Sequence, residues 1–139
     1  MPPFRPQLAL GVLGAILCSP PLLASPLLRC QIEHVGVTTV HDFAPVSDPY
    51  RAKAIDIDER FRFKAVVIGD AQAIEYVKLY AYYWDWNKER PILLHQAHHR
   101  APVAQANPSP DALGGWHSLY SGDRERELRY ACALHESAP

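Results

Sequence analysis

Apolar and polar residues alternate along most of the chain, most clearly between Lys53 and Gly69. Because successive side chains of a strand point to opposite faces, such alternation predicts a β-strand with one buried face. Strands usually run about 3–10 residues, so we expect a break near Asp58-Glu59. The apolar residues of one parity are Ile55, Ile57, Phe61, Phe63, Ala65 and Val67, and the charged residues of the other are Asp56, Asp58, Arg60, Arg62 and Lys64.

The same pattern predicts further strands on both sides of this segment. Turn-forming residues separate them, and a proline-rich loop at about 100–115 shows no periodicity. About six to eight short strands predict an all-β fold, a small antiparallel β-sandwich or barrel-like domain. The other segments are Leu28–Val35, a short strand within 36–51, a hairpin of 74–86 with 92–95, and a hairpin of 116–120 with 127–135.

The N-terminus has the three parts of a secretory signal peptide. One basic residue, Arg5, precedes an apolar run from Leu8 to Leu17, and small residues follow at Ala24-Ser25. The run is shorter than the roughly 20 apolar residues that cross a bilayer. We therefore expect a signal peptide over 1–25 and one exported domain, periplasmic or extracellular, over 26–139.

Only two cysteines, Cys30 and Cys132, remain after the predicted signal peptide. In the alternating pattern both share a parity with apolar neighbours, so both thiols point into the core. An even pair near the two ends of a small exported chain predicts a disulfide. It joins the first strand to the last and leaves no free thiol for chemistry.

The charge balance argues against one class of partner. The predicted signal peptide holds one of the 14 basic residues, Arg5, and none of the 15 acidic ones. The mature chain then has a net charge of −2 and no basic excess to neutralise phosphates, so nucleic acid is not an expected partner. No second apolar run predicts a membrane span in the mature chain.

Aromatic residues are concentrated between Ile74 and Trp86. Both parities of this segment are rich in apolar or aromatic residues, so we expect a central strand covered on both faces. The tip of the hairpin is the part that we expect to be exposed. The sequence therefore predicts a surface that recognises a protein or a glycan, formed by Tyr83, Trp84, Asp85 and Trp86.

Histidines form the second candidate site. Neutral imidazole binds zinc and copper, which an exported protein encounters. The candidate ligands are His95, His98, His99, His117 and His135. A spacing of three puts His95 and His98 on opposite faces of a strand, and the adjacent His98 and His99 converge only if the strand has ended there.

Catalytic motifs give the weakest signal. The acidic residues at 56–59 alternate with basic residues and lack the glycine of a calcium-binding loop. Ser118 and Ser121 lie outside a nucleophile-elbow motif. The sequence thus favours a disulfide-stabilised, exported binding or accessory module without catalytic activity. A protein that binds a divalent metal is the alternative, and a hydrolase is the third interpretation.

Overall fold

The computed structural model describes residues 1–3, 25–122 and 125–136. Eight strands and one short 3-10 helix, Pro49–Arg51, are found in this part of the chain. The all-β class predicted from the alternation is confirmed. The strands are β1 Leu27–His34, β2 Val37–Phe43, β3 Ile55–Ile57, β4 Phe61–Gly69, β5 Ile74–Asp85, β6 Arg90–Arg100, β7 His117–Tyr120 and β8 Glu127–His135.

The strands form two antiparallel sheets of four strands each, packed as a sandwich. Sheet A has the order β2-β1-β8-β7, and sheet B has the order β3-β4-β5-β6. Sheet B is a meander in which each strand pairs with the next one along the chain. The chain therefore builds half of sheet A, then all of sheet B, and then returns to complete sheet A.

The core lies between the two sheets and is formed by the inward parity of the long strands. Phe61 and Phe63 of β4 and Tyr130 of β8 are fully buried there. The rings of Phe63 and Tyr130 meet across the sheets with their centroids 4.9 Å apart. Burying a large apolar side chain contributes about 1.5–3 kcal/mol, so these contacts hold the two sheets together.

Turns end the strands where the sequence predicts them. The predicted break at Asp58-Glu59 is confirmed, because both residues have positive φ, 51° and 55°. The Oδ1 of Asp56 accepts a hydrogen bond from the Glu59 amide at 2.8 Å. Between β1 and β2, Val35 and Gly36 also have positive φ, 51° and 71°, as in the two-residue turns that connect hairpins.

The predicted disulfide between Cys30 and Cys132 is confirmed. The two residues face each other directly in β1 and β8, with their Cα atoms 4.1 Å apart. Both are completely buried in the core. The bond therefore joins the first strand to the last within one sheet.

Residues 4–24 of the predicted signal peptide lie outside the part that the structure describes. Within the described ranges, no helix has the length and apolar character needed to cross a membrane.

Candidate functional site

The outer face of sheet B carries a line of half-buried aromatic rings along β5, Tyr76, Tyr80, Tyr82 and Trp84, which we call the aromatic row. The expectation that β5 is central is confirmed, because it pairs with both β4 and β6. The expectation that both of its faces are covered is wrong. Val77, Leu79, Ala81 and Tyr83 point into the core, while the aromatic row points to the solvent side.

A groove of about 350 Å³ runs beside the aromatic row. Lys64 and Val66 of β4 line it on one side of the row, and Pro49-Tyr50 forms a wall. This wall is held in place because the chain crosses from sheet A to sheet B here. The amide of Val46 donates to the carbonyl of Val67 at 2.9 Å. The Tyr50 side chain is 92% exposed and stands at the edge of the groove.

Basic residues surround the rings. The guanidinium of Arg62 lies 5.1 Å from the centroid of the Trp84 ring, and Nζ of Lys78 lies 5.2 Å from that of Tyr76. The register puts Lys64 opposite Tyr80 and Arg100 opposite Tyr76, so both side chains belong to the same face. Cation–π contacts of this kind contribute about 0.5–1 kcal/mol at exposed sites.

Acidic residues are nearly absent from this face. Among the strand residues of sheet B, the register assigns only Asp56 to the outer side, opposite Arg62, with which it forms a salt bridge. Lys64, Lys78 and Arg100 have no acidic neighbour across the strands on that side. The face therefore carries a local positive charge although the whole chain has a net charge of −1.

The rings themselves form an ordered surface. Tyr80 and Tyr82 are nearly parallel, with an interplanar angle of 15° and centroids 6.2 Å apart. Burial, and to a smaller extent the charge of Tyr80, raises the pKa of the Tyr82 phenol. Its hydroxyl therefore stays protonated near neutral pH, where it can both donate and accept hydrogen bonds.

The structure separates the four residues of the predicted hairpin surface. Tyr83 faces the core, is 7% exposed and contacts Phe61 with ring centroids 5.8 Å apart. Asp85 is half-buried, and its Oδ1 accepts hydrogen bonds from the amides of the hairpin turn. Trp84 belongs to the aromatic row, and Trp86 beside it is 53% exposed. Recognition by this tip stays a prediction.

Three of the five predicted histidine ligands come together, and two of them, His95 and His117, contact Tyr130. His95 and His99 lie on the inward face of β6, and His117 lies opposite Tyr130 in β7. The Nδ1 of His95 is 2.9 Å from the Tyr130 hydroxyl. The His117 ring stacks on Tyr130 with their centroids 5.0 Å apart. The cluster fills the corner where β6 approaches β7.

The other two candidate ligands lie elsewhere. His98 points to the outer face of sheet B and contacts the edge of Tyr76, with centroids 5.7 Å apart. His135 ends β8, where it bridges to Gln105. Across the described ranges, no group of three or more histidine, cysteine, aspartate or glutamate side chains is arranged to hold a metal ion. Binding of zinc or copper by the histidines stays a prediction.

Burial controls the charge of the histidine cluster. It lowers the pKa of His117, helped by the charges of His95 and His99, and it lowers the pKa of His99, helped by His98. In the part of the chain that the structure describes, the Nε2 atoms of His99 and His117 are buried without a hydrogen-bond partner. His99 and His117 are therefore neutral near pH 7, and the cluster packs at the boundary of the core.

Comparison with protein-family models, with curated proteins and with solved structures finds no match to the chain.

Proposed function

We propose that this protein is an exported binding module without catalytic activity, and that its aromatic row binds acidic glycan chains. The observation that carries the proposal is the combination, among the described strand residues of one open sheet face, of four aromatic side chains with four basic residues and a single acidic one. Such a face complements a ligand that has flat apolar surfaces and negative charges.

Sugar rings match the aromatic half of this face. An aromatic ring has a negative face that attracts the polarised C–H bonds on one side of a pyranose. The hydroxyls of Tyr80 and Tyr82 are available for hydrogen bonds to sugar hydroxyls. The row runs along a single strand, in which alternate residues repeat every 6–7 Å or so. It therefore suits an extended polymer better than a compact ligand.

Carboxylate or sulfate groups on the sugar match the basic half. Lys64 lines the groove beside the rings, and Lys78 lies within the aromatic row itself. Both can reach a negative group on a sugar stacked over Tyr80. A polynucleotide is the competing ligand, but the net charge of −1 gives the chain no general attraction for a phosphate backbone.

The disulfide supports the cellular location in this proposal. Disulfides form and persist in oxidising compartments such as the periplasm and the cell exterior. Acidic polysaccharides are found in the same places, so protein and ligand would meet there.

Affinity electrophoresis and calorimetry with polygalacturonate test the proposal. We expect binding that weakens about tenfold for Tyr80→Ala and for Tyr82→Ala, since each loses one stacking contact. Tyr120→Ala is the matched control, because Tyr120 is 59% exposed on sheet A, away from the row. Lys64→Gln should weaken binding in a salt-dependent way, whereas Lys88→Gln in the hairpin turn should not.

Two further ligands decide the chemical class. A neutral glucan of matched length should bind more weakly than polygalacturonate, since it lacks the carboxylates. Single-stranded DNA should bind more weakly still. Stronger binding of DNA than of polygalacturonate would reject the glycan assignment, and so would equal losses for Tyr80→Ala and Tyr120→Ala.

A further inference from the structure

A larger cleft, of about 440 Å³, opens between the two sheets on the side where β2 and β3 form their edges. It exists because the two edge strands differ in length: β2 has seven residues and β3 has three. The inner face of β2 therefore projects beyond sheet B. Val37 on that face is 62% exposed although its parity points inward. The walls of the cleft include Ile32, His34, Val37, Ile57 and Asp58.

A buried histidine in this cleft has an unused hydrogen-bonding atom. His34 is 7% exposed, and its Nδ1 donates to the Glu127 carbonyl at 2.9 Å. With a single proton on the ring, that proton sits on Nδ1 and leaves Nε2 as an acceptor. Among the described residues this Nε2 has no hydrogen-bond partner, and it lies 3.5 Å from Oδ2 of Asp58.

The two hydrogen-bond acceptors, Nε2 of His34 and Oδ2 of Asp58, lie close together and favour a ligand that donates hydrogen bonds. Asp58 has a 70% exposed side chain, and in the described part of the chain no lysine or arginine lies within salt-bridge distance of it. Its neighbour Asp56, in contrast, is neutralised by Arg62. The cleft therefore has one carboxylate and one imidazole acceptor that a basic group can satisfy together, within apolar walls.

The edge of β2 beside the cleft is open. Within the described ranges β2 pairs only with β1. Its residues Val37-Thr38-Thr39-Val40 are uncharged and all β-branched, and they include none of the lysines or prolines that commonly protect sheet edges. Val40 is 54% exposed. An edge of this kind readily pairs with another strand.

The register shows which backbone groups are available. Val37 and His34 flank the two-residue turn, so they form a hydrogen-bonded pair. Hydrogen-bonded and non-hydrogen-bonded pairs alternate along antiparallel strands. The amides and carbonyls of Thr38, Val40 and Asp42 therefore point away from β1, toward the open edge.

We propose that an extended segment of a partner protein adds to β2 as a fifth strand of sheet A, and that a lysine or arginine of this segment enters the cleft and donates hydrogen bonds to both Nε2 of His34 and Oδ2 of Asp58. The main chain of the segment pairs with Thr38, Val40 and Asp42. Its inward side chains then lie over the uncovered face of β2, where apolar residues contact Val37 and Ile57. This site is separate from the aromatic row, which lies on the outer face of the other sheet.

Fluorescence anisotropy with short labelled peptides tests the side-chain part. The probe alternates valine and lysine, and its matched control alternates valine and glutamate. We expect the lysine peptide to bind, and the glutamate peptide to bind at least about tenfold more weakly, because it brings a carboxylate to Asp58. Asp58→Asn should weaken the lysine peptide about tenfold. Tyr80→Ala should leave its affinity unchanged. Equal affinity for the two peptides would overturn the assignment of a basic side chain.

Hydrogen exchange tests the strand pairing. Adding the lysine peptide should slow exchange of the amides of Thr38, Val40 and Asp42. Val40→Pro removes one outward N–H and should abolish binding, while Val40→Thr keeps this N–H and should bind normally. A lysine peptide methylated on alternate amides should also fail, and this readout uses the unaltered protein in case Val40→Pro does not fold.

Three results would overturn the pairing: unchanged exchange, full binding by Val40→Pro, or full binding of the methylated peptide. A fourth result against the proposal would come from the oligomeric state, measured by sedimentation without peptide. If the protein forms dimers that Val40→Pro dissociates, the edge serves a second copy of this chain and not a partner segment.

Discussion

Removing the disulfide tests how the fold of this small chain is stabilised. Cys30 and Cys132 are 102 positions apart in the sequence. In the chain-entropy treatment, opening a loop of this length raises the entropy of the unfolded chain and costs about 5 kcal/mol of stability. Because β1 and β8 already pair over the whole of β1, the native structure needs the bond little for its geometry. The bond therefore acts mainly on the unfolded chain.

The double variant Cys30→Ala/Cys132→Ala also removes two buried sulfur atoms. Each missing buried group of about methylene size costs roughly 1 kcal/mol. We expect a total loss of about 6–7 kcal/mol for the double variant, and about 5 kcal/mol for the unaltered protein after reduction. Domains of this size have about 5–15 kcal/mol in total, so either change should bring the protein close to unfolding.

Urea unfolding followed by tryptophan fluorescence measures both quantities. The free energy of unfolding should fall by these amounts. The slope of that free energy against urea should rise, because the unlinked unfolded chain exposes more surface. A loss below about 1 kcal/mol on reduction, with an unchanged slope, would refute the view that the bond acts through the unfolded chain.

Two further predictions concern the corner between β6 and β7. The pKa values of His99 and His117 are lowered in the folded protein. At pH values just below the ordinary histidine pKa of about 6.5, the unfolded chain therefore binds more protons than the folded protein does. Stability should be complete above that value and should fall as the pH drops through it. Urea midpoints at about pH 7.5 and about pH 5.5 measure this fall in stability. The variant His117→Phe should show a smaller fall. No fall at all would mean that the rings are solvated. Gly114→Ala should lower the melting temperature clearly, since φ is +89° and the new Cβ would lie 2.8 Å from Cε1 of His99. Gly115→Ala is the matched control, because φ is +82° there but the added Cβ would have nothing within 4 Å. Equal effects of the two changes would exclude the contact with His99 as the cause.

Strict alternation made much of the fold predictable. The inward parity of β4 and β8 is visible in the sequence because charged residues occupy the other parity of β4, and turn residues interrupt the pattern between the strands. The same parity places Cys30 and Cys132 in the core. Alternation is a local signal, and it suffices wherever one face of a strand is clearly polar.

The aromatic row shows where that signal fails. Both parities of β5 are apolar or aromatic, and such a strand is compatible with one covered face or with two. Which of these occurs depends on what lies over the outer face, and that is a property of the whole chain. Tyr50, which walls the groove, is 26 positions before Tyr76 and comes near it only through the crossing between the sheets.

The sequence named the clustered histidines, His95, His99 and His117, as candidates, but it did not show which of them share a face. The predicted strand ended at His95, whereas β6 continues to Arg100. In a strand of that length, His95 and His99 are four positions apart and share a face, while His98 points the other way. A predicted strand that continued to Arg100 would have placed His95 and His99 on the same face.

The order of the strands divides the molecule into a frame and an insert. The meander β3 to β6 is one uninterrupted stretch, residues 55–100, and the two ends of the chain close around it as sheet A. The disulfide lies wholly within that frame, so the bond that secures the fold does not involve the strands that carry the aromatic row. The rings and charges of the outer face can therefore vary in evolution, or be exchanged as one cassette by an engineer, without touching the covalent closure of the domain.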